Sequence, residues 1–183
     1  MLKYAILGYL NYRPMFGYEL KQAMDGSTSF FWHSKLSQIY MTLKSLEKEK
    51  KLKSEIENQE DKPDRKRYTI TKLGKEDLNT WLETPLTDIP QNKDELLLKL
   101  FFSANQDKKS ILSELRIQKK LHENQLNTYI NVTAKVIKDA KKENPACAKD
   151  SILWEATRRM GELYEKAYIQ WIDETIRVVE SKL

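Results

Sequence analysis

The chain has 183 residues, 32% charged and 40% hydrophobic, with a formal net charge of +5 and a pI near 9.1. That length allows one domain or two small ones, and only five Gly and five Pro suit long helices with few turns. The single cysteine, Cys147, excludes an intramolecular disulfide framework and fits a reducing compartment, while the basic balance leans weakly towards polyanionic partners.

The first segment, MLKYAILGYLNYRP, is apolar from Tyr4 to Leu10, which is too short to span a bilayer. No small-residue cleavage site follows it, so neither a signal peptide nor a membrane partner is expected, and the chain reads as cytoplasmic. Leu2, Ala5, Ile6, Leu7, Tyr9 and Leu10 cover nearly every face of a short helix, which predicts burial all round, partly against another domain or subunit. Asn11 to Phe16, with Pro14, breaks it. Gly17 opens a second helix with Tyr18, Leu20 and Met24 at helical spacing, ended by Asp25-Gly26. A third helix follows within STSFFWHSKLSQIYMTLKSLEKEK, with Leu36, Ile39, Tyr40, Leu43 and Leu46 as its apolar stripe. Its opposite face is small, polar and cationic: Lys35, Ser37, Gln38, Thr42, Lys44 and Ser45.

The period then changes. LKSEIENQE alternates as a strand, Asp61-Lys62-Pro63-Asp64 is turn chemistry, and KRYTIT is a β-branched returning strand. Thr71 is placed to cap a fourth helix with Leu73, Leu78, Trp81 and Leu82 facing inward. Pro85 and Pro90 bracket a linker. Beyond it the chain reads as helical: a short apolar KDELLLKLFFS, a long segment from Asp107 to about Lys142, a break at Asn144-Pro145, and a last helix from Asp150 to about Lys182. Leu153, Ala156, Met160, Leu163, Tyr164, Ala167, Tyr168, Trp171 and Ile172 form one wide stripe along that helix. Such long apolar stripes need a long partner, which predicts a homodimer. Leu2, Ile6, Leu126, Ile130, Tyr164, Tyr168 and Trp171 are its candidate interface residues.

Three helices, a strand, a basic turn, a strand and a helix follow the order of a winged helix-turn-helix. The expected fold is mainly α: this module with a two-stranded wing over residues 1–86, and an all-helical dimerisation domain over 87–183. In such modules the third helix enters the major groove and the wing meets the backbone or minor groove. The expected partner is double-stranded operator DNA. Its candidate contacts are Ser34, Lys35, Ser37, Gln38, Tyr40 and Lys44 on and before the third helix, with Lys62, Arg65, Lys66 and Arg67 on the wing. Tyr40 reads as a packing residue whose hydroxyl could reach a phosphate. Lys48, Lys50, Lys51 and Lys53, interleaved with Glu47 and Glu49, read equally as a solvated face.

LKYAILGYL, GYEL, SQIYMTLKSLEKE and RKRYTITKLGKEDLNTWL, with KDELLLKLFF and YIQWIDETI, together resemble the PadR family of bacterial transcriptional regulators along essentially the whole chain. The resemblance is to the longer branch, in which the C-terminal helices build the dimer and some repressors leave DNA when a phenolic acid binds. It implies a repressor with an aromatic effector seated between the winged helix and the C-terminal helices. Trp32, His33, Trp154 and Arg158 are chosen for that pocket on chemistry: aromatic walls and a guanidinium for a carboxylate. Response to other aromatic or cationic compounds, as in regulators of efflux operons, and a protein-binding winged helix are the alternatives. Three positions depart from the family. Lys50 and Lys51 stand where a Gly and a hydrophobic residue usually end the third helix, so either Lys50 is left-handed at a cost of roughly 1 kcal/mol or the helix runs on for a turn. Met41 stands where Pro is usual.

His33 and His122 lack neighbours at metal-ligand spacing. No nucleophile elbow, triad or Gly-rich phosphate loop is present, so neither an enzyme nor a metal or cofactor is expected.

Overall fold

A computed structural model describes residues 1–57, 65–90 and 92–183 of the protein. They form two compact units, Met1–Ile89 and Pro90–Leu183. The fold is mainly helical, with a winged helix-turn-helix followed by an all-helical unit. The first contains α1 (Leu2–Tyr12), β1 (Met15–Phe16), α2 (Gly17–Asp25), α3 (Leu36–Lys48), β2 (Leu52–Glu57), β3 (Arg65–Ile70) and α4 (Lys72–Glu83). The second contains α5 (Glu95–Phe101), α6 (Lys108–Asn127), α7 (Ala134–Glu143) and α8 (Ala148–Lys182).

In the first unit, Ile6, Leu7 and Leu10 of α1 meet Leu20 and Met24 of α2 and Ile39, Leu43 and Leu46 of α3 in one buried core. Burying each such side chain contributes roughly 1.5–3 kcal/mol against the entropy of ordering the chain. Ile6 is completely buried by its own chain, so its place among the dimer-interface residues is withdrawn. Tyr4 stacks on Trp81 at 4.5 Å and 7°, tying α1 to α4. Five expected core residues are solvent-facing: Tyr18, Leu36, Tyr40, Leu73 and Leu82 are exposed. Short helices on a small core bury only a narrow stripe, so apolar residues at its edges stay wet.

The sheet has three antiparallel strands in the order β1-β3-β2, with Leu52 opposite Ile70, Glu57 opposite Arg65 and Met15 opposite Tyr68. The predicted hairpin therefore gains a third strand from Met15-Phe16, in a segment read as a break. Two residues are too few to show a period of two.

The end of α3 settles the choice left open at Lys50. Its φ is 58°, in the left-handed region. The Lys51 N–H bonds the Leu46 carbonyl at 2.9 Å and the Lys50 N–H bonds that of Glu47 at 3.0 Å. This is a Schellman ending with lysine where glycine is usual. The Lys51 ammonium reaches Glu49 at 2.7 Å and Asp77 at 3.0 Å, and this hydrogen bonding holds both carboxyls below their ordinary range. The side chain of Thr71 accepts the Gly74 N–H at 3.2 Å, capping α4 as expected.

In the second unit, α6 and α8 run antiparallel, joined by Arg116–Glu180 at 2.9 Å, Lys119–Asp173 at 2.6 Å and His122–Glu165. Leu96, Ile111, Leu112, Leu115, Ile172 and Val179 form the core, with Tyr168 and Trp171 packed against it. α6 continues into α7 through a π-helical stretch, Thr128–Thr133. Its Tyr129 is buried over Gly161, where an added Cβ would lie 2.3 Å from the ring. Asn144-Pro145 ends α7 as predicted. α8 buries an unexpected carboxylate: Glu162 accepts from Arg158 at 2.9 Å, Arg159 at 2.5 Å and Lys166 at 2.6 Å.

Lys50→Gly removes the left-handed penalty, so the unfolding free energy should rise by up to about 1 kcal/mol, read as a higher urea midpoint at unchanged slope. A lower midpoint would show that the Lys50 side chain holds the turn. In α8, the hydrogen bonds from Lys166, Arg159 and Arg158 pull the Glu162 carboxyl from 4.5 down to about 2. A carboxyl depressed by folding stabilises above its unfolded value and loses that contribution as pH falls through the folded one. Melting temperature should therefore drop more steeply in the native protein than in Glu162→Gln between about pH 5 and about pH 2; parallel acid limbs would refute the role of Glu162.

Candidate nucleic-acid interface

α3 is held by Ile39, Leu43 and Leu46, so helical geometry turns Lys35, Ser37, Gln38, Met41, Lys44 and Lys48 outwards. Tyr40 lies between the two situations. It is 47% exposed, yet its ring occupies the space beside Gly17, where an added Cβ would sit 2.5 Å from it. The close approach of α2 to α3 thus depends on Gly17, and the Tyr40 edge remains at the surface.

Two members of the predicted set change character. Ser34 is 7% exposed, buried ahead of the helix, and is removed from the surface set. Gln38 is exposed, but its Oε1 accepts the Lys35 N–H at 2.9 Å, closing the first turn. An unsatisfied N–H at a helix start attracts such a side-chain acceptor, which leaves the Gln38 NH2 as its outward donor. The Thr42 hydroxyl turns back to the Gln38 carbonyl at 2.8 Å.

The wing cations do not form one row. Alternation along β3 sends Arg65 and Arg67 to one face and Lys66 to the other, with buried Tyr68 and Ile70. The guanidinium groups of Arg67 and Arg65 lie 4.4 and 5.7 Å from the centre of the Phe16 ring. Arg67 also pairs with Glu57 at 3.0 Å, and Lys66 reaches Glu47 of α3 at 3.7 Å. Phe16 was missed from sequence because its role comes from strand pairing opposite Arg67, not from any local pattern. Lys62 and the Asp61–Asp64 turn lie outside the described residues. The described surface offers amide and hydroxyl groups on a helix flanked by cations on a strand, a combination suited to a polyanion whose edges carry donors and acceptors.

The residues selected for an effector separate by unit. Trp32 and His33 lie in the connection before α3, whereas Trp154 and Arg158 lie on α8. Arg158 cannot serve as chosen. Its Nε and one terminal nitrogen grip Glu155 at 2.8 and 2.7 Å; the other meets Glu162 at 2.9 Å and the Tyr129 carbonyl at 3.2 Å. With its fork committed to carboxylates of its own helix, it is withdrawn as a ligand's bidentate partner. Among the dimer candidates, Ile130 and Tyr164 are exposed and Leu2 and Leu126 half-buried, while Tyr168 and Trp171 turn towards the core of their own unit. Among the described residues no helix is long and apolar enough to cross a membrane, and no group of three or more His, Cys, Asp or Glu is placed to hold a metal ion.

These features define a winged-helix protein of the kind in which a helical unit follows the wing. The profile of the Transcriptional regulator PadR-like family matches residues 6–80, and that of the Virulence activator alpha C-term matches residues 92–180. Residues 6–80 are thus a PadR-like transcriptional regulator domain, followed by a C-terminal domain of the virulence-activator type. It is 28% identical to the negative transcriptional regulator PadR of Bacillus subtilis over 98% of both chains. Its structure is similar to that of Bacillus subtilis PadR in complex with operator DNA, with a TM-score of 0.82, 26% identity and 97% of each chain covered. It is also similar to the Vibrio cholerae virulence activator AphA, with a TM-score of 0.76, 25% identity and both chains covered completely.

Proposed function

We propose that this chain is a dimeric repressor that binds operator DNA through α3 and the wing and is released by a small aromatic acid. The observation that carries the DNA reading is the polar, cation-bearing outer face of α3 beside the Arg65–Arg67 strand. Bacillus subtilis PadR, similar over nearly its whole length, has been seen on its operator. In this reading Ser37, the Gln38 NH2 and Lys44 meet base edges or adjacent phosphates in the major groove, and Tyr40 reaches a phosphate. Arg65 and Arg67 meet phosphates, held ready by Phe16 and released from Glu57 as DNA arrives. Lys66, paired with Glu47, contributes less. Lys62, outside the described residues, joins the phosphate set on its charge alone. Bacillus subtilis PadR has also been solved with p-coumaric acid, which supports an aromatic acid as the effector class.

The dimer reading rests on α8. Leu153, Ala156, Met160, Leu163 and Ala167 are all exposed and recur at alternating steps of three and four residues, the seam spacing of paired helices. A solvent-facing seam of this kind gains stability when a second helix covers it. Two copies related by a two-fold axis would present their α3 helices to half-sites about one turn apart, roughly 34–36 Å.

Salt-titrated binding to the chain's own upstream DNA tests the first reading. Arg65→Ala with Arg67→Ala should weaken specific and random duplexes alike. The log–log salt slope should flatten by about 0.9 for each phosphate that the variant no longer neutralises, with Lys66→Ala changing it less. An unaltered slope in the double variant removes the wing from the interface. Sedimentation equilibrium tests the second. Met160→Glu should shift the protein to monomer with its helix content intact, whereas Trp171→Glu should unfold the second unit. A Met160→Glu dimer as tight as the native one would place the interface elsewhere.

A further inference from the structure

The apolar residues of α3 are of three kinds. Ile39, Leu43 and Leu46 are buried, and Leu36 and Tyr40, 37% and 47% exposed, lie at the edges of that core. Met41 belongs to neither set. It is 69% exposed, more than any other apolar side chain of the helix, and lies outside both the buried cluster and the residues packed against it. At about 100° per residue it stands nearly opposite the Ile39–Leu43–Leu46 stripe. Its neighbours three and four positions away are Ser37, Gln38, Lys44 and Ser45, all polar and exposed. One flexible thioether side chain thus occupies the crest of an otherwise polar, cationic face.

Single exposed apolar side chains are common on protein surfaces; the meaning of this one comes from the face on which it stands. The groups around it offer donors and hydroxyls, and none of them identifies an A·T pair. The Gln38 Oε1 accepts the Lys35 N–H at 2.9 Å, so Gln38 keeps only its NH2 and cannot make the paired donor and acceptor contact that selects adenine. The Ser45 hydroxyl already donates to Glu49 at 2.9 Å, and the Ser37 hydroxyl suits donors and acceptors alike. The Lys44 ammonium only donates, which suits guanine or a phosphate. What these groups leave unread is the one apolar group that a base pair presents in the major groove, the C5-methyl of thymine. An unbranched thioether chain can adapt its shape to so small an apolar target.

We infer that Met41 is a specificity-determining residue: with α3 in the major groove, its side chain packs on the C5-methyl group of one thymine in each half-site. The inference rests on the operator-DNA reading above and adds to it the base that α3 selects. Met41 carries no charge, so it acts on sequence preference and not on the salt dependence of binding.

Selection of preferred sites from a pool of random duplexes, followed by titration of the preferred duplex with each thymine replaced in turn by deoxyuridine, tests this. Deoxyuridine pairs as thymine does and lacks only the methyl group. At one thymine of each half-site the replacement should weaken the native protein by about fourfold, the effect of burying one CH2-sized group. Met41→Gln, of similar length and at an exposed position, should bind the thymine and deoxyuridine duplexes equally, with an unchanged salt slope. Met41→Leu, still apolar, should keep most of the discrimination. Lys44→Ala should weaken both duplexes by the same factor. A native protein indifferent to deoxyuridine at every thymine overturns the inference and leaves operator binding in place; so does a Met41→Gln protein that discriminates as well as the native one. If selection returns no preferred sequence, the operator reading falls and this inference with it.

Discussion

The backbone between α3 and β2 carries two carbonyls, of Lys50 and Lys51, that both accept hydrogen bonds from Thr71 at 2.8 and 3.0 Å. One residue thereby ties the end of α3 to the start of α4, with β2 leaving the same turn and β3 arriving at it. The left-handed Lys50 is what aims those carbonyls at Thr71. Lys51 adds the ionic contacts to Glu49 and Asp77, and Lys3 of α1 joins Asp77 at 3.4 Å. A helix and a strand that must address one surface together are in this way referenced to a single turn. The strain at a non-glycine residue is offset by the contacts it permits.

The outward chemistry of the first unit follows from what is held inward. Ile39, Leu43 and Leu46 fix the rotation of α3, and Gly17 lets Tyr40 settle at its edge. The Phe16 ring gathers Arg65 and Arg67, while carboxylates at Glu47 and Glu57 keep the wing's charge partly neutralised until a stronger anion competes. Surface ion pairs of this kind are weak enough to exchange.

In the second unit, polar contacts do the aligning and apolar groups are left over. Arg158 binds two carboxylates of its own helix and the Tyr129 carbonyl across from it, pinning the π-helical stretch to α8. A π-helical turn shifts the register of the side chains that follow it. α8, a separate helix beyond the Asn144-Pro145 break, has buried Glu162 and Glu165 on one side and exposed Leu153, Met160 and Leu163 on another. Those exposed side chains are the seam on which the proposed dimer rests.

Helical and strand periods, Thr71 as a cap, Pro145 as a break and the basic returning strand were all legible in the sequence, because each depends on residues within a few positions of one another. Ile39, Leu43 and Leu46 of the α3 stripe were legible for the same reason, whereas Leu36 and Tyr40 of that stripe are exposed; the choice at Lys50 was legible, though not its outcome. What only the tertiary structure decided are relations between distant segments. Met15-Phe16 became a strand by pairing with Arg67 and Tyr68; Ser34 was buried while its neighbours stayed wet; Gln38 was spent on a helix cap; Arg158 was claimed by Glu155 and Glu162. A side chain's type and its period are local properties, but whether its donors and acceptors are already taken depends on which elements the fold brings together.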